Sequence, residues 1–296
     1  MPVPVVTVAQ MREWEDLSWE SGRLVNDVMR RAGQAVARRA IGMSRVGDVI
    51  LFLAGRGNNG GDTRIAADYL SKREIQLVEV DNPEKELDRV DSLLAAGPAL
   101  VVDGLFGIGL NRPLDDNWKK LIGLLNDRAC PLLAVDVPSG LNADTGKPMG
   151  AAVRANVTAT FAAPKKGLIE HGASEYTGRL EVVNDIGLAD CPCVGDFQWV
   201  LKEDFAGFPP ERPVSAHKGD FGHLGILAGS RGWHGASVLA ARAALRAQPG
   251  LVTVVTPEDA YLPVASQLTQ PMVHSWSEEA RDILSRCTTI LMGAPS

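Results

Sequence analysis

Residues 49–62 read VILFLAGRGNNGGD, an apolar run followed by a turn rich in glycine and asparagine. An apolar run that ends in glycine is typical of a buried strand. The apolar positions between Ile65 and Leu70 have the spacing of one helix face and predict a helix over 62–72. Glycine lets the backbone approach a ligand, and the N–H groups at a helix start point at negative charge. The stretch therefore predicts an anion-binding turn between a strand and a helix.

The turn supports two interpretations. Gly55, Gly57 and Gly60 match the G-x-G-x-x-G pattern of dinucleotide-binding turns, although that pattern is weak on its own. A plain tight turn with Asp62 as the N-cap of the helix also fits. The two asparagines and the carboxylate exceed what either interpretation needs, and this excess favours a ligand site.

Bulk properties set the class of protein. The 296 residues suffice for one large domain or two ordinary ones, and 45% hydrophobic with 22% charged residues is typical of a soluble globular protein. A net charge of −6 implies no general affinity for nucleic acid or an anionic membrane. No apolar run reaches membrane-spanning length and no signal peptide is visible, so we expect a cytoplasmic protein. The C-x-C pair at Cys191 and Cys193 lacks the partners of a zinc site.

Strands and helices alternate through the first part of the chain. Residues 7–41 have a helical pattern, with Thr7 as the N-cap. The other candidate helices are 62–72, 84–96 and 115–127, and the candidate strands are 49–54, 75–80, 99–103, 131–136, 157–161 and 179–183. This alternation predicts an α/β fold, a Rossmann-like three-layer sandwich with a mainly parallel sheet.

A proline-rich linker divides the chain. We predict one domain over 1–190, the linker at 191–216 and an incomplete C-terminal α/β unit over 217–296. In that unit we expect strands at 224–228, 251–255 and 290–296, the last ending in a turn, and a helix at 236–247.

Ionisable residues follow the predicted strands at one recurring position. Asp62, Asp103, Asp136 and Lys165 each come just after an apolar run. The carboxyl ends of parallel strands share one edge of the sheet, where ligands bind, so we expect these groups to converge. Any one of them alone is more simply a turn or surface residue. Asp136 near Lys165 would make an acid–base pair.

Oxygen-bearing side chains near this edge suit a hard cation. Asn59, Asp103 and Ser139 offer oxygen ligands without histidine or cysteine, which argues against zinc. The loop 106–113 contains two glycines and Arg112, which could pair with a phosphate. No histidine belongs to the cluster, so a catalytic triad at Ser139 lacks its base.

Four segments in order resemble the NAD(P)H-hydrate epimerase family, the YjeF N-terminal domain. They are Gly57–Asp62, Val102–Leu110, Val135–Leu141 and Ala163–Leu168, and the resemblance covers roughly residues 5 to 190. The family implies interconversion of the R and S forms of hydrated NADH and NADPH, which carry a hydroxyl at C6 of the reduced nicotinamide ring. Relatives tend to pair, which implies a homodimer or higher homo-oligomer.

The resemblance also implies site residues. Potassium ligands would be Asn59, Asp103 and Ser139. Substrate contacts would be Asn58, Asn59, Gly60, Gly61, Asp62, Gly107, Ile108, Gly109, Leu110, Asn111, Arg112, Pro113 and Asp136. Our hypothesis is that Asp136, aided by Lys165, moves a proton as the C6–oxygen bond opens and re-forms. Thr63 stands where the family usually has glycine, and its bulk could tighten or block the pocket; Lys166 stands where proline is frequent.

The second part resembles the start of a ribokinase-like, ADP- or ATP-dependent NAD(P)H-hydrate dehydratase domain. The similar segments are 217–223 and 229–237, and Ala236 matches a substrate-contact position. The family's Asn-Ala-Gly-Asp segment is not in these 296 residues, so we expect no dehydratase activity, and ADP or ATP only in a complete domain.

Two other function classes stay open. A Rossmann oxidoreductase would use the glycine pattern with Glu79 or Asp81 as its ribose contact, roughly 20 residues on. A catalytically silent binding or scaffold relative would keep the pocket without the chemistry.

Overall fold

The computed structural model describes residues 2–209 and 211–293. The chain divides into two compact units, Met1–Leu201 and Lys202–Ser296, which are described separately. Their boundary falls within the predicted linker at 191–216, of which Pro210 lies outside the described residues. The turn expected at the end of the chain, 294–296, also lies outside them.

The first unit alternates helices and strands along most of its length. In chain order they are β1 (Val3–Pro4), α1 (Val8–Glu20), α2 (Val25–Met43), β2 (Val49–Ala54), α3 (Asn58–Asp68), β3 (Glu74–Glu79), α4 (Pro83–Ala95), β4 (Leu100–Gly104), α5 (Asp116–Asp127), β5 (Leu132–Val135), β6 (Val157–Phe161), α6 (Ser174–Thr177), β7 (Arg179–Val183) and β8 (Gln198–Trp199).

A six-stranded sheet forms the centre of this unit, in the order β3-β2-β4-β5-β6-β7. Every neighbouring pair in it is parallel. The chain passes from β2 to β3 on one side and returns to β4 on the other, so the strand order reverses between β2 and β4. β1 and β8 make a separate antiparallel pair.

Helices cover both faces of the sheet. Along β2, Ile50 and Phe52 pack into a core with residues of α1, α2 and α3. The alternate positions, Leu51 and Leu53, pack into a second core with residues of α4 and α5. Successive strand residues point to opposite faces, so a strand buried on both faces must be apolar throughout. The predicted α/β three-layer sandwich is confirmed.

The six strands predicted in the first unit agree with β2 to β7 to within one residue at each end, whereas the short strands β1 and β8 were not predicted. Thr7 caps α1 through a capping box: Gln10 N–H donates to Thr7 Oγ1 at 3.2 Å, and Thr7 N–H donates to Gln10 Oε1 at 2.9 Å. The predicted helix at 62–72 was wrong at its start. It begins at Asn58, with Gly57 as the N-cap, so Asp62 is an interior residue and not the cap.

The second unit contains a four-stranded parallel sheet in the order β11-β10-β9-β12. Its helices and strands are β9 (His223–Leu227), α7 (His234–Arg246), β10 (Leu251–Thr256), α8 (Glu258–Ala265), β11 (Met272–Ser275), α9 (Glu278–Ser285) and β12 (Thr289–Met292). The elements between β10 and β12 were not predicted, since they are short and α8 contains Pro263. In residues 2–209 and 211–293, no helix has the length and apolar character that a membrane crossing requires.

Candidate active site

A cavity of about 750 Å³ opens at the carboxyl ends of the central strands of the first unit. It lies where the strand order reverses, which is the position at which open α/β sheets bind ligands. Of the residues predicted from sequence, it is lined by Asn58, Asn59, Asp62, Gly107, Ile108, Gly109, Leu110, Asn111, Arg112, Asp136 and Lys165.

Some predicted residues do not line this cavity. Gly60, Gly61 and Pro113 are not among its lining residues, and Ala236 belongs to the second unit. Asp103 and Ser139 lie beneath its floor, with no exposed surface.

The glycine turn brings two backbone segments into contact. A Cβ on Gly60 would lie 1.8 Å from the carbonyl oxygen of Gly55, and a Cβ on Gly55 would lie 2.1 Å from that of Leu105. Neither position can hold a side chain while β2, the start of α3 and the loop after β4 remain in place. Both glycines therefore serve close backbone packing, which lets the first turn of α3 face the cavity.

Asp136 follows β5 in a left-handed backbone conformation, with φ of 63°. Few residues other than glycine adopt it, although aspartate tolerates it better than most. Its Oδ1 atom accepts hydrogen bonds from Thr160 Oγ1 and Phe161 N, each at 3.1 Å, and from the ammonium group of Lys165. Among the described residues, none donates to Oδ2. One carboxylate oxygen is thus held while the other is free toward the cavity.

Lys165 is 1% exposed and has no spare donor. Besides the ion pair with Asp136, its ammonium group donates to Thr160 Oγ1 at 3.1 Å and to the Phe161 carbonyl oxygen at 2.9 Å. Three partners satisfy its three N–H bonds. The expected convergence of Asp136 and Lys165 is observed, and although Lys165 is among the lining residues, its donors are all used by protein partners.

The residues predicted to bind a cation are linked through the main chain of Phe106, which accepts from the Asn59 amide and donates to Ser139 Oγ. Ser139 donates to Asp103 through its hydroxyl at 2.5 Å and its N–H at 2.8 Å, and Leu105 N–H donates at 3.3 Å. The Asn59 amide donates to the carbonyl oxygens of Phe106 at 3.0 Å and Val135 at 2.5 Å. Burial raises the pKa of Asp103 to about 6, against the lowering effect of its neutral hydrogen-bond donors.

Two further carboxyl groups line the cavity, those of Asp62 and Glu15. Burial, then the charges of Asp136 and Glu15, raise the pKa of Asp62 well above its usual range, against the opposing effect of Lys165. The pKa of Glu15 is also raised, chiefly by burial and then by Asp136. Sequence reasoning missed Glu15. The available signal was its spacing of four residues from the buried Met11, which places a carboxylate on the apolar face of α1.

Thr63 does not obstruct the cavity. Its side chain is fully buried, and its hydroxyl donates to the Asn59 carbonyl oxygen at 2.7 Å. The space comes from Gly104, where a Cβ would lie 1.8 Å from Thr63 Oγ1. The side chain of Thr63 therefore packs between α3 and β4 and is not part of the cavity lining.

Charged residues surround the outer part of the cavity. Arg56 and Asp81 both line it and form an ion pair at 3.0 Å, while Arg112 is exposed beside them in the lining. Glu79, the other ribose candidate of an oxidoreductase, is paired with Arg64 on the surface and does not line the cavity.

Family comparisons match both parts of the chain. A model described as the N-terminus of YjeF-related proteins matches residues 25–92 and 81–167, and an NAD(P)H-hydrate dehydratase model matches 224–294.

Curated relatives match most of the chain. A bifunctional NAD(P)H-hydrate repair enzyme of Coxiella burnetii is 34% identical over 310 residues, covering 96% of this chain and 63% of the relative. The Escherichia coli enzyme of the same name is 36% identical over 279 residues, covering 86% of this chain and 53% of the relative. The crystal structure of yeast ynu0 is 22% identical with a TM-score of 0.46, covering 56% of this chain and 83% of the yeast chain.

This chain spans between about half and two thirds of the length of these two relatives. Residues 25–167 belong to the YjeF-related N-terminal family, and residues 224–294 belong to the NAD(P)H-hydrate dehydratase family.

Proposed function

We propose that the first unit interconverts the R and S forms of hydrated NADH and NADPH. The observation that carries the proposal is Asp136, whose Oδ1 is fixed by three donors while Oδ2 is free in the cavity. A fixed carboxylate with one free oxygen is suited to accept a proton from a bound substrate. Repair of damaged NAD(P)H is also the activity named for the curated relatives.

The cavity offers contacts for two parts of a dinucleotide, the diphosphate and the nicotinamide. The start of α3 presents backbone N–H groups where Asn58 and Asn59 line the cavity, which favours an anion such as the diphosphate. Arg56 and Arg112 add positive charge nearby. With the diphosphate there, the nicotinamide end would extend toward Asp136.

A potassium ion fits the oxygen cluster beneath the cavity floor. Asp103 is a buried carboxylate whose three donors are neutral, so its charge lacks compensation. Asn59, Asp103 and Ser139 would hold the ion, which would supply the missing positive charge. These residues also join the starts of α3 and of the loops after β4 and β5, so the ion would stabilise the cavity floor.

Potassium should stabilise the protein and increase epimerisation relative to lithium at equal ionic strength. An ion that binds only to the folded state raises the free energy of unfolding by about 1.4 kcal/mol when its concentration is ten times the dissociation constant. Thermal unfolding in KCl and LiCl measures the difference, and Ser139→Ala should remove it. Ser92→Ala is the matched control, since that hydroxyl only bonds the Asp88 carbonyl on the surface. Equal Tm values in both salts for the wild type would contradict the cation site.

A coupled assay tests the function directly. The purified chain is mixed with R-hydrate and a dehydratase specific for the S-hydrate, and recovery of NADH is followed by absorbance. We expect NADH to appear faster than in the reaction without this chain, because each S molecule removed is replaced by epimerisation. Recovery no faster than the spontaneous rate would refute the proposal.

The same assay addresses the second unit. Without the added dehydratase, but with ADP or ATP, the chain alone should release no NADH from either hydrate, since we predict no dehydratase activity for these residues. Release of NADH would show that prediction to be wrong.

An oxidoreductase is the competing proposal. It would exchange hydride with a second substrate and bind ordinary NADH, whereas an epimerase leaves the redox state unchanged. Asp81 keeps this alternative open because it lines the cavity, although it is paired there with Arg56.

A further inference from the structure

Charged groups of both signs line the cavity. The carboxyl groups are those of Glu15, Asp62, Asp81 and Asp136, and the cations are Arg12, Arg56, Arg112 and Lys165. The charges that act on Asp62 are those of Asp136, Glu15 and Lys165. Lys165 is paired with Asp136. The other charged groups that act on Glu15 are Arg12 and Asp16, which lie on the same helix, α1, and oppose one another. Because Lys165 is paired with Asp136, Asp62 has no ion-pair partner of its own among the described residues.

The Asp62 carboxyl borders the cavity and has no hydrogen-bond donor among the described residues. It lies in the second turn of α3, is 6% exposed and lines the cavity. Among residues 2–209 and 211–293, no group donates a hydrogen bond to its carboxyl oxygens. Its oxygens keep contact with the cavity, but a carboxylate that is mostly buried and receives no donor from the protein is costly. The cost falls if the carboxyl is protonated and a ligand in the cavity accepts its hydrogen bond.

Asp62 and Asp136 therefore differ in their surroundings. The Asp136 carboxylate receives three hydrogen bonds, one of them from an ammonium group. Asp62 receives none, and burial, then two like charges nearby, raise its pKa. Two carboxyl groups in one site with opposed environments are the usual arrangement of an acid and a base.

We propose that Asp62 carries a proton in the resting enzyme and donates it to the C6 hydroxyl of the hydrated nicotinamide, and that Glu15 is the positioning residue that keeps this proton on Asp62. The inference rests on the proposed function and adds the acid to the base already assigned. Asp62 would touch the reacting oxygen, whereas Glu15 would act through Asp62.

The proposed step is balanced in atoms and charge. Asp62 protonates the C6 hydroxyl, the C6–oxygen bond breaks with its electron pair leaving on water, and the ring nitrogen lone pair forms a double bond to C6. Water then attacks C6 from the opposite face, and Asp136 Oδ2 accepts its proton. The proton returns from Asp136 to Asp62 through water in the cavity. The ring is cationic between the two steps, and the carboxylate that Asp62 becomes after giving up its proton stabilises it.

Glu15→Gln tests the role of the second carboxylate through the pH profile of kcat/KM. Activity needs protonated Asp62 and is lost as the pH rises through its pKa. Removing the charge of Glu15 lowers that pKa, so the alkaline limb should move to lower pH, by roughly one unit for a neighbouring charge. Glu13→Gln on the same helix is the matched control, since Glu13 is exposed and does not line the cavity. Its profile should match the wild type.

Infrared difference spectroscopy tests the proton without an activity assay. At neutral pH the wild type should show a protonated carboxyl band that is absent from Asp62→Asn, with calorimetry confirming that the variant is folded. No such band, or an equal loss of rate by Glu15→Gln at every pH without movement of the limb, would overturn the assignment while the proposed function stands. No epimerisation by the wild type would instead remove the proposed function, together with the catalytic step built on it.

Discussion

Replacing Asp136 with asparagine is expected to lower kcat/KM for epimerisation by roughly 10²–10⁴-fold, the usual contribution of a positioned acid–base group. The amide keeps the size of the side chain, and its oxygen can still accept from Lys165. It cannot accept the proton that Oδ2 would take from water. The coupled assay with saturating dehydratase measures the loss, and unchanged epimerisation at saturating substrate would contradict the assignment.

The same substitution changes stability, which has to be separated from chemistry. Lys165 is buried with Asp136 as its only charged hydrogen-bond partner among the described residues, and loss of one partner of a buried ion pair costs up to about 3–5 kcal/mol. Calorimetry should therefore show a lower Tm for Asp136→Asn. Asp127→Asn, exposed at the end of α5, is the matched control and should change neither property. An activity loss measured well below the Tm of the variant then reports chemistry.

The position of the site could be predicted because parallel strands bring their carboxyl ends to one edge. Asp103, Asp136 and Lys165 were found by their place after apolar runs, and this needed only the strand bounds. Local rules were also sufficient for Thr7, whose capping box lies within four residues. In each case one strand end or one helix turn determines where the residue lies.

The sequence was not sufficient where distant segments meet. The spacing of Glu15 from Met11 places it on the apolar face of α1, but it does not tell which part of the sheet that face meets. Glu15 reaches the cavity because α1 packs against the sheet, and Asp136 lies more than 100 residues further along the chain. The placement of Thr63 could not be predicted either, because the room for its hydroxyl comes from Gly104 in β4. The early start of α3 moved Asp62 from a cap into a helix interior, so its isolation became visible only with the packing.

Replacing Gly60 with alanine is expected to destabilise the first unit by about 3 kcal/mol or more, the upper range for overpacking. The new Cβ would lie 1.8 Å from the Gly55 carbonyl oxygen, a main-chain atom that cannot rotate away. Either β2 or the start of α3 must shift. Calorimetry should show a fall in Tm on the order of 10 °C for a unit of this size.

Gly57→Ala in the same turn distinguishes this contact from a general intolerance of side chains. Gly57 has no heavy atom within 4 Å of its would-be Cβ, and its φ of −84° suits alanine. Gly57→Ala should lower the free energy of unfolding by less than about 1 kcal/mol, because alanine is only a weaker N-cap than glycine. Equal destabilisation by both substitutions would contradict the contact argument. A large effect at Gly60 alone would show that its glycine is required by main-chain packing between β2 and α3, the contact that places Asn58, Asn59 and Asp62 at the cavity.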